Sequence, residues 1–156
     1  MNEVYRLIGQ VNIEPVLREL DRLEFIVANY GKTLERDGKY EQTVALGPFP
    51  DTVNKFVEDL NLGGELQRML LRSLPPGTKI PPHIDDWMPE EADWRRFQVP
   101  IVSDPRVRMR WPDDGIDIYL EPGHLYEVDF SKTHDVFNGS NIDRIHMQID
   151  QLGATI

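Results

Sequence analysis

Residues 107–130, VRMRWPDDGIDIYLEPGHLYEVDF, show how the second half of this 156-residue chain is built. Three strand-length segments, 107–111, 116–120 and 125–130, are separated by the turn-forming runs Pro-Asp-Asp-Gly and Glu-Pro-Gly. Pro presets the backbone for the second position of a turn, and Gly supplies the positive φ that other residues avoid. Short segments at this spacing predict antiparallel strands rather than a parallel sheet with crossover helices.

The same pattern of short segments and turns extends over most of the second half of the chain. Further strands are predicted at residues 66–74, 79–85, 95–102, 134–137 and 144–149. Of these, the first is also compatible with an extended helix, since most of its residues are apolar. About eight short strands predict a mainly β fold, a jelly roll or double-stranded β-helix, with its β core over about residues 65–151.

Two helices are predicted in the first part of the chain. Residues 13–28 place apolar side chains at helical spacing. Residues 51–62 form the second helix, with Asp51 as its N-cap and Gly63-Gly64 at its end. The polar region between the helices contains one short strand, at residues 43–46.

The length of the chain favours one domain of ordinary size. We expect the helical part, about residues 1–64, to pack on one outer face of the β core. Residues 1–156 would then form a single jelly-roll domain.

Charge and composition limit the classes of partner. The chain has 27 acidic and 17 basic residues, a formal charge of -10, which argues against a nucleic-acid partner. It has no cysteine, which excludes disulfides, thiolate zinc sites and cysteine nucleophiles. No run of 18 apolar residues and no signal-like segment at the start are seen, so we expect no membrane partner and a cytoplasmic location.

His83-Ile84-Asp85 is the first candidate for chemistry. In an extended strand the His and Asp side chains lie on one face, because strand side chains repeat every two residues. If the fold brings His134 alongside, two imidazoles and one carboxylate can bind one metal ion. This ligand set leaves coordination positions open and is typical of non-haem Fe(II) oxygenases. Taken alone, however, a His-x-Asp tripeptide is more often an ordinary surface pair.

Arg144 follows His134 by ten residues. Asn138-Gly139 between them predicts a β-hairpin, which would place both residues on adjacent antiparallel strands facing a common cavity. A guanidinium there suits the distal carboxylate of a 2-oxo acid co-substrate.

The last strand alternates polar and apolar side chains. Its polar face carries Arg144, His146, Gln148 and Asp150. Such a face points to water in a half-buried sheet, or to a central pocket in a jelly roll. We favour the pocket, given the two histidines nearby.

Other arginines and aromatic residues are less informative. Arg95 or Arg96 can add a second cation for a carboxylate. The stripe of Arg106, Arg108 and Arg110 is interpreted as a solvated strand face. The tryptophans and His124 are interpreted as core, rim or surface residues.

The sequence resembles the aspartyl/asparaginyl β-hydroxylase family of Fe(II)- and 2-oxoglutarate-dependent dioxygenases. The resemblance lies in LPPGTKIPPHID at residues 74–85, the strand that begins near Arg96, and EPGHLYEVDFSKTHDVFN at residues 121–138. It extends over about residues 66–151. Gln98 departs from the pattern, since mammalian aspartyl hydroxylases of the family carry a histidine there, and the complete His-x-Asp is more similar to the bacterial free-amino-acid hydroxylases.

The resemblance implies a specific arrangement of cofactors. His83, Asp85 and His134 would bind Fe(II), and Arg144 would bind the C5 carboxylate of 2-oxoglutarate. Arg96 resembles the family's second arginine near that co-substrate. O2 would then be used to hydroxylate an amino acid or a peptide or protein side chain, with release of succinate and carbon dioxide.

The alternative is a non-catalytic jelly-roll domain, similar to cupins, that binds a metal or a ligand. The closely spaced histidines and glutamate of the usual cupin motif are not found in the sequence. A hydrolase is disfavoured, since neither Gly-x-Ser-x-Gly nor His-Glu-x-x-His occurs.

Overall fold

The computed structural model describes residues 3–27, 42–85 and 92–156, together with the backbone of residues 35–36 and 39–40. The strands are β1 (Tyr5–Gln10), β2 (Ile26–Val27), β3 (Glu35–Arg36), β4 (Lys39–Tyr40), β5 (Thr43–Ala45), β6 (Glu65–Leu74), β7 (Lys79–His83), β8 (Trp94–Val102), β9 (Val107–Trp111), β10 (Ile116–Ile118), β11 (His124–Val128), β12 (His134–Asn138) and β13 (Arg144–Leu152). The helices are α1 (Glu14–Leu17) and α2 (Asp51–Asp59), with short 3-10 helices at Leu20–Arg22 and Pro112–Asp114.

Two antiparallel sheets form the body of the fold. A seven-stranded sheet has the order β1-β11-β8-β13-β6-β5-β2, and a four-stranded sheet has the order β10-β9-β12-β7, while β3 and β4 pair separately. Buried apolar side chains from both larger sheets form one cluster, which includes Leu74, Ile80, Trp111, Val128 and Val136. The two sheets therefore pack face to face, and the prediction of a mainly β fold is confirmed.

A second core lies on the outer face of the seven-stranded sheet, where α1 and α2 pack. Val53, Phe56 and Val57 are buried on one face of α2, at the i, i+3, i+4 spacing of an amphipathic helix. They join a cluster that includes Phe97 and Met147 of the sheet. The predicted packing of N-terminal helices on one face of the β core is confirmed.

The predicted helix over residues 51–62 is confirmed with different ends. Pro50 is the N-cap, Asp51 begins the helix, and the last helical residue is Asp59. An acidic residue in the first turn is favourable, because it faces the positive end of the helix dipole.

The prediction of one helix over residues 13–28 is wrong for the described residues 13–27. Only Glu14–Leu17 are α-helical, a 3-10 helix follows, and Leu23 is already extended with φ -87° and ψ 138°. The chain then forms β2, in which Ile26 pairs with Val44 of β5. β-branched residues fit a pleated strand better than a helix, so pairing at the sheet edge prevails over the helical spacing.

Strand β1 was not predicted, and it adds a further element to the N-terminal part of the chain. It pairs with β11 at one edge of the seven-stranded sheet, where Leu7 is exposed. A strand at the edge of a sheet does not need a regular alternation of apolar and polar side chains. The sequence of β1 therefore gives only a weak indication of a strand. The assignment of residues 1–156 to a single domain remains a prediction.

The predicted hairpin at Asn138-Gly139 is wrong. β12 lies in the four-stranded sheet and β13 in the seven-stranded sheet, so the turn passes from one sheet to the other. Asn138 is fully buried and fixes this crossing: its Nδ2 donates to the carbonyls of Leu74 and Ile142, and its Oδ1 accepts from Ser140. His134 and Arg144 therefore lie on facing sheets, not on adjacent strands.

Replacing Asn138 by alanine is expected to destabilise the protein by about 3 kcal/mol, because it leaves several buried backbone groups without partners. The free energy of unfolding from urea titrations measures this. Asn141→Ala is the control, since its exposed side chain makes one long contact with Arg106, at 3.4 Å. Equal stability of the two variants would contradict the role assigned to Asn138.

In the parts of the chain that the structure describes, every helix is too short and polar to cross a membrane. The cytoplasmic location remains a prediction.

Candidate metal centre

His83, Asp85 and His134 meet at one end of the four-stranded sheet. β7 ends at His83 and β12 begins at His134, and these two residues are paired in the register of the two strands. Asp85 follows β7, where its backbone N–H donates to the carbonyl of Phe130 at 2.9 Å. One ligand atom from each of the three side chains lies within 4.8 Å of the others. The structure thus brings together the three residues predicted to bind metal.

Each histidine ring is held by a carbonyl two residues before it. His83 Nδ1 lies 2.7 Å from the Pro81 oxygen, and His134 Nδ1 lies 2.8 Å from the Lys132 oxygen. Since a carbonyl only accepts, each Nδ1 donates, and a neutral ring then presents the lone pair of Nε2. Both Nε2 atoms face Asp85, at 3.5 Å from Oδ1 for His83 and 4.0 Å from Oδ2 for His134.

His134 is neutral at pH 7. Burial, partly opposed by the bond to the Lys132 carbonyl, lowers the pKa of His134 to about 4. A metal ion binding there would displace no proton from this ring. Two imidazole nitrogens and one carboxylate oxygen converge, so the residues present fit a divalent transition metal.

Arg96 lies beside the three candidate ligands. Its Nη1 donates to Asp85, and its Nε and Nη2 donate to the buried carboxylate of Asp150. Its guanidinium carbon lies 4.7 Å from the centre of the Phe130 ring. The predicted position of Arg96 near a co-substrate remains a prediction.

Arg144 is a buried cation with no carboxylate beside it in the described parts of the chain. Its relative exposure is 2%, and its Nε has no hydrogen-bond partner among the described residues. Burial, together with the positive charge of Arg72, lowers the pKa of Arg144 to about 9, so the side chain is still charged at pH 7. A buried charge without a counter-ion is strongly unfavourable. This environment fits an anionic ligand.

The sequence profile of the aspartyl/asparaginyl beta-hydroxylase family matches residues 24–152. The chain belongs to this family. The sequence matches no curated protein closely enough to count as a relative.

Solved structures with the same fold include members of the 2-oxoglutarate–Fe(II) oxygenases. A Burkholderia pseudomallei oxidoreductase of that class is 8% identical, with TM-score 0.65, covering 95% of this chain and 85% of that one. A viral collagen prolyl hydroxylase from Paramecium bursaria Chlorella virus-1, solved with 2OG, is 12% identical, with TM-score 0.64 and 97% of both chains covered. A Pseudomonas putida prolyl-4-hydroxylase is 14% identical, with TM-score 0.64, covering 97% and 92%. The predicted double-stranded β-helix is confirmed.

The polar face of β13 is part of the interior of this hydroxylase-family fold. Arg144, His146, Gln148 and Asp150 are all buried, which excludes the alternative that this face points to water. Burial, reinforced by the charge of Arg144, lowers the pKa of His146 well below its usual value. His146 Nδ1 lies 2.8 Å from Gln98 Oε1, and its buried Nε2 has no hydrogen-bond partner in the part of the chain that the structure describes.

The arginine stripe, which begins one residue before β9, belongs to the surface, as predicted. Its three members pair with neighbouring carboxylates: Arg106 with Asp104, Arg108 with Asp117, and Arg110 with Asp135. Each arginine of the stripe is therefore already paired with a carboxylate of the protein.

Among the described residues, Trp94, Trp111 and His124 are not members of the metal-ligand cluster. Trp111 is fully buried in the core between the sheets, and Trp94 is partly buried. Trp87 lies outside the described residues. His124 is partly exposed, and its Nδ1 contacts the Pro122 carbonyl.

Two contacts of the site were missed by the sequence analysis. These are the pairing of Asp150 with Arg96 and the proximity of Arg72 to Arg144. The polar alternation of β13 marks Asp150 as inward-facing. Its partner depends on the register between β8 and β13, which no local pattern gives.

Proposed function

We propose that the protein is an Fe(II)- and 2-oxoglutarate-dependent dioxygenase that hydroxylates an amino acid or a side chain of a peptide or protein. The observation that supports this most directly is the cluster of His83, Asp85 and His134. Two nitrogens and one oxygen on one side of an ion leave positions open for a co-substrate and O2. Membership of the hydroxylase family agrees with this choice.

Fe(II) bound by these three residues would supply the O2 activation that couples oxidation of 2-oxoglutarate, to succinate and carbon dioxide, with insertion of oxygen into a C–H bond. The protein side chains hold the ligands in place. The Pro81 and Lys132 carbonyls orient the imidazoles, so that each presents its Nε2 to the same point.

Arg144 would bind the C5 carboxylate of 2-oxoglutarate. The burial of its guanidinium strengthens an ion pair, and the charge of Arg72 adds to the attraction for an anion. With its C5 carboxylate bound by Arg144, 2-oxoglutarate would direct its keto-acid end toward the metal. Holding a reactant in the correct orientation in this way lowers the barrier of the reaction.

Arg96 would be the second arginine that contacts the co-substrate. Three of its N–H donors bond Asp85 and Asp150, and a guanidinium has five. A carboxylate of the co-substrate would therefore share this cation with the two aspartates.

The first experiment measures succinate from purified protein with Fe(II), ascorbate and 2-oxoglutarate under air. We expect succinate above the level of a matched reaction without iron, and more of it when a suitable amino-acid or peptide substrate is added. A folded protein that binds neither metal nor 2-oxoglutarate would contradict the proposal. Binding of both without turnover across a substrate panel would favour the non-catalytic jelly-roll alternative.

A further inference from the structure

Asp150 is a fully buried carboxylate on the inner face of β13, with a relative exposure of 0%. Its Oδ1 accepts from Arg96 Nε, and its Oδ2 accepts from Arg96 Nη2 at 3.1 Å and from Arg68 Nε at 3.2 Å. A bidentate pair of this kind fixes the plane of the guanidinium as well as its position. Asp150 therefore determines where Arg96 points.

The other side of the Arg96 fork reaches the candidate metal centre. Nη1 donates to Asp85 Oδ2, while Asp85 Oδ1 faces His83 Nε2 at 3.5 Å. The guanidinium also lies over the ring of Phe130, and that ring packs against His134 with 4.4 Å between ring centres. Arg96 is thus held between the buried Asp150 and the candidate ligands.

We propose that Asp150 is a positioning residue of the metal centre, acting through Arg96 to hold Asp85 so that one carboxylate oxygen is free for the metal. This inference rests on the proposed function, because it requires that the cluster binds a metal ion. The oxygen bonded to Arg96 is less available for coordination, so Asp85 binds through Oδ1 alone. Single-oxygen binding keeps a further coordination position open for the co-substrate.

Loss of Asp150 would weaken metal binding for two physical reasons. Arg96, released on one side, can turn and pair with both oxygens of Asp85, which then compete with the metal. The site also loses one negative charge near the bound cation. Outer hydrogen-bond partners of metal ligands typically contribute about 10–100-fold in affinity.

The test measures the Mn(II) dissociation constant of metal-free protein by the EPR signal of free Mn(II), a readout that needs no turnover. Asp150→Asn is expected to raise the dissociation constant by at least about tenfold. Glu127→Gln is the matched control. Glu127 is also buried and also binds an arginine through two oxygens, but it pairs with Arg95 and not with the residues around the metal centre.

A charge-conserving variant separates geometry from electrostatics. Arg96→Lys keeps the positive charge but cannot bridge two carboxylates as a planar fork does. It is expected to weaken Mn(II) binding by about tenfold, close to the effect of Asp150→Asn. In the double variant the two effects should add only in part, since the geometric effect of Asp150 is transmitted through Arg96. If Asp150→Asn does not fold, unchanged Mn(II) affinity in Arg96→Lys still overturns the inference, because Asp150 is proposed to act through Arg96.

The outcomes separate this inference from the proposed function. A wild-type protein that does not bind Mn(II) would overturn both. Wild-type binding with unchanged affinity in Asp150→Asn and Arg96→Lys would overturn only the positioning role. Equal weakening in Glu127→Gln would also overturn it, because general destabilisation would then explain the loss.

Discussion

Replacing His134 by alanine is expected to abolish iron-dependent succinate formation and to weaken Mn(II) binding by more than about 100-fold, since loss of even an outer partner of a ligand costs about 10–100-fold. His134 is 2% exposed, and its ring packs against those of His83 and Phe130. Succinate by chromatography and free Mn(II) by EPR measure the two effects.

His124→Ala is the matched control for this prediction. His124 is also a strand histidine held by a carbonyl two residues before it, but it is not part of the metal-ligand cluster. We expect both readouts to stay near the wild-type values. A folded His134→Ala variant with unchanged Mn(II) affinity would show that His134 is not a ligand.

Local sequence patterns were sufficient for most of the β core. β9 begins and ends where predicted, and β8 differs by one residue at its start, because Pro, Gly and Asp in the flanking turns limit each strand locally. The helix prediction over residues 13–28 failed where a non-local contact, Ile26 with Val44, replaced helical hydrogen bonds by sheet pairing. Helical spacing of apolar residues shows which side chains face a core. Because short helical turns give the same spacing, the pattern does not determine how long the helix is.

The hairpin prediction failed for a related reason. Asn138-Gly139 correctly marks a turn, but a dipeptide does not determine whether the next strand joins the same sheet. The bond from Asn138 to the Leu74 carbonyl spans 64 residues of sequence. Hydrogen bonds between residues this far apart in sequence determine which sheet the next strand joins.

The residues of the candidate site also include some that a local pattern predicts and some that only the tertiary structure reveals. His83-x-Asp85 is a local motif, and the spacing of His134 and Arg144 follows from the resemblance, so these residues were found without the structure. Asp150 and Arg96 are 54 residues apart, and only the register between β8 and β13 brings them together. Candidate metal ligands can be predicted from a motif. The residues that contact those ligands can be identified only from the tertiary structure.

Replacing Arg144 by methionine is expected to change stability and binding in opposite directions. The ligand-free protein should become more stable by about 1–3 kcal/mol, because an apolar side chain of similar length removes a buried charge that has no carboxylate partner among the described residues. For a chain of this size, that corresponds to a rise in Tm of about 2–10 °C. Thermal unfolding of metal-free protein measures it.

The same variant should bind 2-oxoglutarate at least about 30-fold more weakly, since losing one partner of a buried ion pair costs about 2–5 kcal/mol. Calorimetric titration of the Mn(II)-loaded protein measures this change. Arg106→Met is the control: its side chain is exposed and pairs with Asp104 at the surface, so neither Tm nor affinity should change appreciably. A lower Tm for Arg144→Met would show that Arg144 stabilises the fold by itself. A higher Tm combined with lost binding would show that the ligand-free protein keeps an unfavourable buried charge, whose counter-ion is the carboxylate of the co-substrate.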